Sequence, residues 1–185
     1  MKYMKRRGLS FLLLAIVLGV GFVSCSKTSR QKARELEVEL RDKYIAKYYP
    51  DAQPTSDGLY VIKEQDAPAG ADTVAVGDVV KVFYTGNLIE ETDSTGVQDG
   101  YVFDSSGNYE PFTFTVGAGS VVTGWEEAIL QMKEGEKAVW IIPSTLGYSG
   151  TPQSGVPAYS TLVFHVTVYK VIKSSSSPVI IERKF

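Results

Sequence analysis

The sequence is poor in the residues that build most covalent and metal chemistry. It holds one Cys and one His in 185 residues. A single Cys excludes a disulfide framework and a thiolate zinc site, and a single His argues against a Ser/His triad or a multi-histidine metal centre. Charge of one sign is also scarce: 19 Lys and Arg stand against 21 Asp and Glu, a net of -2. That argues against a surface that binds nucleic acid by neutralising phosphates. No internal repeat is visible, and 44% hydrophobic with 22% charged residues excludes wholesale disorder, collagen and a polytopic membrane protein. What is abundant is aromatic: eleven Tyr, eight Phe and two Trp favour strands over helical bundles. The length leaves room for one ordinary domain with additions at its ends.

The N-terminus places Lys2, Lys5, Arg6 and Arg7 before an apolar run from Leu9 to Val23, then the small Ser24. This is the layout of a secretory signal peptide over residues 1–24, and the run is short for a spanning helix of about 20 residues. The lone Cys25 stands where that run ends. The segment resembles a bacterial lipoprotein signal, which implies an acylated Cys25 as first mature residue, although Phe22 occupies the position where such signals usually have Leu. Removing residues 1–24 takes away four bases and no acids and leaves a net of -6. Membrane attachment is therefore expected from lipid rather than from charge.

Residues 25–57 form an expected linker and helix. Ala33, Leu36, Leu40, Tyr44 and Tyr48 recur at spacings of three and four, with Glu37 to Arg41 and Glu39 to Lys43 as i,i+4 pairs. The helix is predicted from about Ser29 to Tyr49, capped by Thr28 or Ser29 and ended by Pro50 and Pro54. It reads as a spacer that lays one apolar stripe on the domain and is dispensable for folding, since twenty residues give too few heptads for an independent coiled coil. From Leu59 the texture becomes short β-rich runs, "LYVIK", "VVKVFYT", "PFTFTV", "KAVWII" and "TLVFHVTVYKV". One helix interrupts them, predicted from Trp125 to about Lys133, opened by a capping box of Thr123 and Glu126 and closed by Gly135. The fold class is α+β: a curved antiparallel sheet wrapped around one short helix, preceded by an N-terminal helix. This domain is set at residues 58–173. The tail 174–185 has a Ser-rich linker and a short apolar run that either adds an edge strand or hangs free.

Several motifs fail on inspection. Gly117 and Gly119 lack the third glycine of a dinucleotide fingerprint, where Val122 stands. "GYSG" lacks the fifth position of a nucleophile elbow. His165 alternates with Leu162, Phe164, Val166 and Val168 and so faces away from their stripe, which reads as a solvent-side histidine. Glu90, Glu91, Asp93 and Asp99 lack the spacing of a calcium loop and read as a solvated loop.

Four runs in order, "VFYTGNL", "VFDSSG", "VGAGSVVTGWEEAILQMKEGEKAVWIIP" and "LGYSGTPQSGVPAYSTLVFHVTV", resemble the FKBP-type peptidyl-prolyl isomerases over about Thr73 to Lys173. The resemblance implies a half-wrapped sheet of five or six strands around a short helix, and a shallow aromatic pocket for a proline ring. Position by position, it implies a pocket of Tyr84, Phe103, Asp104, Phe112, Val121, Val122, Trp125, Tyr148, Val156 and Phe164. Asp104 and Tyr148 take the catalytic roles and the others bind substrate. The chemistry needs no nucleophile, metal or cofactor. A site that binds a twisted X-Pro amide better than either planar form lowers the rotation barrier, with Trp125 as floor, Tyr84, Phe112 and Phe164 as walls, and the Tyr148 hydroxyl and Val122 N–H on the substrate main chain. Each residue has a plainer reading: Trp125 and the Phe residues as core, Asp104 as an Asx-turn residue, Tyr148 as a loop aromatic. Their joint presence favours the pocket.

Three departures stand out. An acidic insert of about nine residues, within 89–100, precedes Phe103; "GNYE" is short and offers no Arg to Asp104; and the turn from Tyr148 to Val156 is short, with Ser149 where Gly is frequent. That turn has no room for an inserted chaperone lobe. The expected partners are proline-containing polypeptides, macrolides as ligands of the pocket, and a membrane through the lipid, with no nucleic acid. The expected place is the periplasmic face of a Gram-negative membrane. The alternative is a tethered prolyl-ligand or partner-docking module without turnover.

Overall fold

The computed structural model describes residues 28–92 and 96–174. Helix α1 spans Ser29–Tyr48. Strands β1 (Tyr60–Gln65), β2 (Val79–Thr92), β3 (Gly96–Ser105) and β4 (Phe112–Thr115) follow, then helix α2 (Thr123–Ile129), strand β5 (Lys137–Ile142), a 3-10 turn at Ser144–Leu146 and strand β6 (Leu162–Ile172). They form one six-stranded sheet in the order β1-β5-β6-β2-β3, with β4 also on β2, and every pairing is antiparallel. β4 pairs with Val79–Val82 and β3 with Thr85–Thr92. The segment 106–111 therefore spans the gap between two strands that pair with the same strand in succession.

Strand alternation sends side chains to two cores. On the inner face Ala138, Trp140 and Ile142 of β5 and Leu162, Phe164, Val166 and Val168 of β6 pack with Trp125, Ala128, Ile129 and Met132. On the outer face Val139 and Ile141 of β5 and Val163 of β6 pack with Tyr44 and Ile45 of α1 and Val97 of β3. The five consecutive apolar residues of "KAVWII" thus fit a strand covered on both sides. Gly124 lets α2 lie flush on the sheet, since a Cβ there would collide with Ile142.

α1 opens with the expected Thr28 cap: its hydroxyl accepts from the Gln31 N–H and the Gln31 side chain returns to the Thr28 N–H. Its buried stripe is displaced from the expected one. Tyr44 and Ile45 are buried, Leu40 is half-buried, and Leu36 and Tyr48 are exposed. Glu39 and Lys43 form the expected pair at 2.8 Å, whereas Glu37 turns inward and Arg41 pairs with Asp42 instead. Two further expectations are corrected. α2 runs over Thr123–Ile129 with Val122 at its cap position and no side-chain cap bond. Glu126 leaves the expected box because two glycine amides with positive φ need an acceptor: its carboxylate takes the Gly117 N–H at 2.7 Å and the Gly119 N–H at 3.0 Å. The described part of the insert is strand rather than solvated loop: Glu90 and Glu91 lie in β2 and Asp99 in β3, which pair antiparallel. Residues 1–27, Cys25 among them, Asp93 and the tail from residue 175 lie outside the described residues.

The β2–β3 pair joins α1 to β6. Asp99 accepts from the Tyr44 hydroxyl at 2.6 Å and meets His165 Nε2 at 2.8 Å, while Lys47 Nζ and the Tyr48 hydroxyl donate to the Val97 carbonyl at 2.8 and 3.2 Å. His165 does face away from the inner core, yet it is hydrogen-bonded rather than simply solvated. The hydrogen bond to Asp99 holds the imidazole above its ordinary value of 6.5 against the opposing effect of burial. The same bond, helped by Tyr44 and opposed by burial, holds Asp99 below its ordinary 3.8.

Two outcomes are expected. Deleting residues 28–50 uncovers Val139, Ile141 and Val163 and should lower the thermal midpoint markedly; an unchanged midpoint would make α1 the dispensable spacer that its sequence suggests. A histidine whose folded value is raised stabilises fully below its unfolded value and loses that contribution as pH rises through the folded one, whereas Asp99 loses its contribution as pH falls. His165→Gln should therefore shift the urea midpoint more at about pH 5.5 than at about pH 8.5, and equal shifts would remove the ion pair from the stability of the fold.

Candidate active site

The inner face carries a cavity of about 340 Å³ at the end where α2 begins. Trp125, in the first turn of α2 and 3% exposed, is its floor. Tyr84 of β2 and Phe164 of β6 stand edge-on to that indole at 5.0 Å between ring centroids, with interplanar angles of 85° and 88°. Phe112 of β4 does so at 6.0 Å and 87°. This edge-to-face packing suits aromatic quadrupoles. Val121 and Val122, at the start of α2, and Tyr148 and Asp104 complete the lining.

Eight of the ten residues expected in the pocket line this cavity. Phe103 and Val156 do not line it. Phe103 packs edge-on against Phe164 at 5.5 Å, and Val156 is buried in the inner core. Gly86 makes the first contact possible: a Cβ there would lie 2.6 Å from Phe164 Cε1 and 2.9 Å from Phe103 Cζ. Ser120 lines the cavity and was not expected; its position beside Val121 in the sequence was the available signal.

The polar groups divide into bound and unspent. The Tyr84 hydroxyl donates to Asp104 Oδ2 at 2.7 Å, and burial followed by that hydrogen bond pushes the phenol well above its ordinary value. Asp104 Oδ1 accepts from the Ser105 N–H at 2.9 Å. The turn after it is closed by Ser105, whose hydroxyl accepts from the Gly107 N–H at 3.0 Å, so Asp104 is not the Asx-turn residue. Tyr148, half-buried, is also raised by burial and then by the charge of Asp104. Its hydroxyl and the Val122 N–H make no hydrogen bond among the described residues, and both belong to the lining. No three His, Cys, Asp or Glu side chains among the described residues group as a metal site.

The family model of the FKBP-type peptidyl-prolyl cis-trans isomerases matches residues 70–169, more than half of the chain. The chain belongs to that family. The FKBP region is 42% identical over 102 residues to the mouse peptidyl-prolyl cis-trans isomerase FKBP2, covering 54% of this chain and 66% of that protein, just under two thirds of its length. It is 38% identical over 116 residues to the FK506-binding protein of Neisseria meningitidis serogroup C, covering 62% of this chain and 97% of that one. The crystal structure of FkpA from Escherichia coli superposes with a TM-score of 0.62 at 28% identity, over 77% of this chain and 62% of that chain. A peptidyl-prolyl cis-trans isomerase of Pseudomonas syringae gives 0.61 at 23% identity, over 80% and 99%, and supports the fold alone. The FKBP sheet, its short helix and the added N-terminal helix are thus in place.

Proposed function

We propose that the domain accelerates cis-trans isomerisation of X-Pro bonds in exported polypeptides. The observation that carries this reading is the pair of unspent donors, the Tyr148 hydroxyl and the Val122 N–H, beside an aromatic box floored by Trp125. Rotation about a peptide bond is opposed by a barrier of about 18–20 kcal/mol that comes from amide resonance. A pyrrolidine ring on Trp125 leaves the preceding amide over the rim, out of bulk water, where loss of resonance is favoured. Tyr148 and Val122 hold the substrate main chain on either side of that amide. Asp104 acts through its neighbour: by accepting the hydrogen bond of the Tyr84 hydroxyl it orients the phenol that walls the cavity. None of these steps transfers a proton or forms a covalent bond, so differential binding of the twisted state carries the whole rate effect.

In a refolding assay limited by prolyl isomerisation, the full-length protein should accelerate a phase that takes tens to hundreds of seconds unaided. Tyr148→Phe keeps the ring and removes one donor, so it should lower kcat/KM by about 2- to 12-fold, the range of one hydrogen bond of 0.5–1.5 kcal/mol. Trp125→Ala should abolish peptide binding. Binding of a proline peptide with no acceleration would instead support the docking module.

We further infer that residues 1–24 direct export and that an acylated Cys25 anchors the domain to a membrane facing the periplasm of a Gram-negative cell. The order of basic, apolar and small residues before Cys25 supports this. Cys25→Ser should release the protein from the membrane fraction or block processing, and wild-type fractionation and mobility would refute the anchor.

A further inference from the structure

Glu37 is a buried carboxylate that the pocket does not use. It lies on the inward stripe of α1, 9% exposed, and every hydrogen bond it accepts comes from a neutral donor. The Ser144 N–H donates to Oε1 at 2.6 Å, the Ser144 hydroxyl to Oε2 at 2.7 Å, and the Thr161 hydroxyl to Oε1 at 3.3 Å. A carboxylate withdrawn from water is tolerated only where such bonds are kept, and the same bonds fix the groups that donate them.

Those groups lead to the site. The Ser144 carbonyl accepts from the Gly147 N–H at 3.0 Å, the Ser149 N–H at 2.7 Å and the Ser149 hydroxyl at 3.3 Å, the residues on either side of Tyr148. Tyr148 has no side-chain hydrogen bond of its own among the described residues, so the turn 144–149 and the packing of its ring on the inner core together aim its hydroxyl. The far end of the same loop is also held by α1. Arg34, three residues before Glu37, places its guanidinium over the Tyr159 ring at 5.1 Å, and the Tyr159 N–H donates to the Ser149 carbonyl at 2.8 Å. Ser149 and Tyr159 carry φ of +53° and +60°, a left-handed backbone that side chains disfavour and that surrounding bonds have to maintain. The short turn with Ser149 in place of the frequent Gly is thus braced from outside the domain's inner core.

We propose that Glu37 is a positioning residue for the isomerase site: through Ser144 it fixes the turn 144–149 and so aims the Tyr148 hydroxyl at the substrate main chain. This rests on the isomerase reading of the cavity given above. α1 is on this account part of the active-site scaffold as well as the cover of the outer face.

The test is a double-mutant cycle on the full-length protein, with kcat and KM for a prolyl peptide and the affinity for the same peptide measured in parallel. Glu37→Ala should change kcat and KM in the same proportion as Tyr148→Phe, by up to the about 2- to 12-fold of one hydrogen bond. Added to Tyr148→Phe it should do nothing further, because coupled residues are not additive. Glu37→Gln keeps an acceptor for the Ser144 N–H and a donor for its hydroxyl, and should restore wild-type kinetics. If Glu37→Ala fails to fold, Ser144→Ala, which removes only the hydroxyl bond, should show a smaller change with the same non-additivity. Wild-type kinetics in Glu37→Ala, or an effect that adds fully to that of Tyr148→Phe, overturns the proposal. A wild type that binds the peptide without turnover defeats the isomerase reading but not this one, since the same cycle is then read in peptide affinity. A wild type that neither binds nor turns over removes both.

Discussion

The governing constraint is that β5 is apolar on both faces while the helix inside the sheet is short. α2 has seven residues and so is about 10 Å long at 1.5 Å per residue. β6 has eleven and runs about 36 Å at 3.3 Å per residue. One such helix covers only part of the concave face. The uncovered part begins at the helix N-terminus, where Trp125 sits, and it is filled by Tyr84 of β2, Phe112 of β4 and Phe164 of β6. The cavity is the portion of the inner core that the helix does not reach, walled by rings that would otherwise be interior.

The outer face has the converse problem and takes a second cover, α1, held by carboxylates rather than by apolar packing alone. The acids of this domain serve widely as acceptors for backbone amides that secondary structure leaves over. Asp78 takes the Ala75 and Ser174 N–H groups along with Lys173. Glu134 takes the Val171 N–H with Lys170, and Glu136 takes the Lys133 N–H with Lys63. Glu126 and Glu37 do the same for the glycine turn and for Ser144. These five carboxylates are therefore structural, each tied to backbone amides rather than left to solvent.

Much of the fold and site was legible in the sequence. The five β-rich runs fall on β1, β2, β4, β5 and β6, and eight expected pocket residues converge because they sit in motifs whose order and spacing are specific. What was illegible shares a cause: a side chain whose partner is distant in the chain. Glu37 read as the i,i+4 partner of Arg41 because nothing local reveals Ser144, 107 residues away. His165 read as solvated because Asp99 was taken for loop. β3 was missed because "GVQDGYVFDS" offers no clean alternation, and its pairing with β2 is interrupted by register shifts. Phe103 and Val156 belong to the family pattern of the pocket, yet here they stand behind the lining, where Phe103 supports Phe164 instead of facing the opening.

Trp125 does not stand alone beneath the opening. Trp140, fully buried on β5, lies against it with centroids 5.2 Å apart and planes at 89°, and its indole N–H has no hydrogen-bond partner among the described residues. Two indoles at that separation are close enough to exchange excitation energy, so light absorbed by one is shared with the other. The optical signature of the cavity floor is accordingly that of a chromophore pair. Replacing Trp140 to simplify the spectrum would also take away the surface on which Trp125 rests.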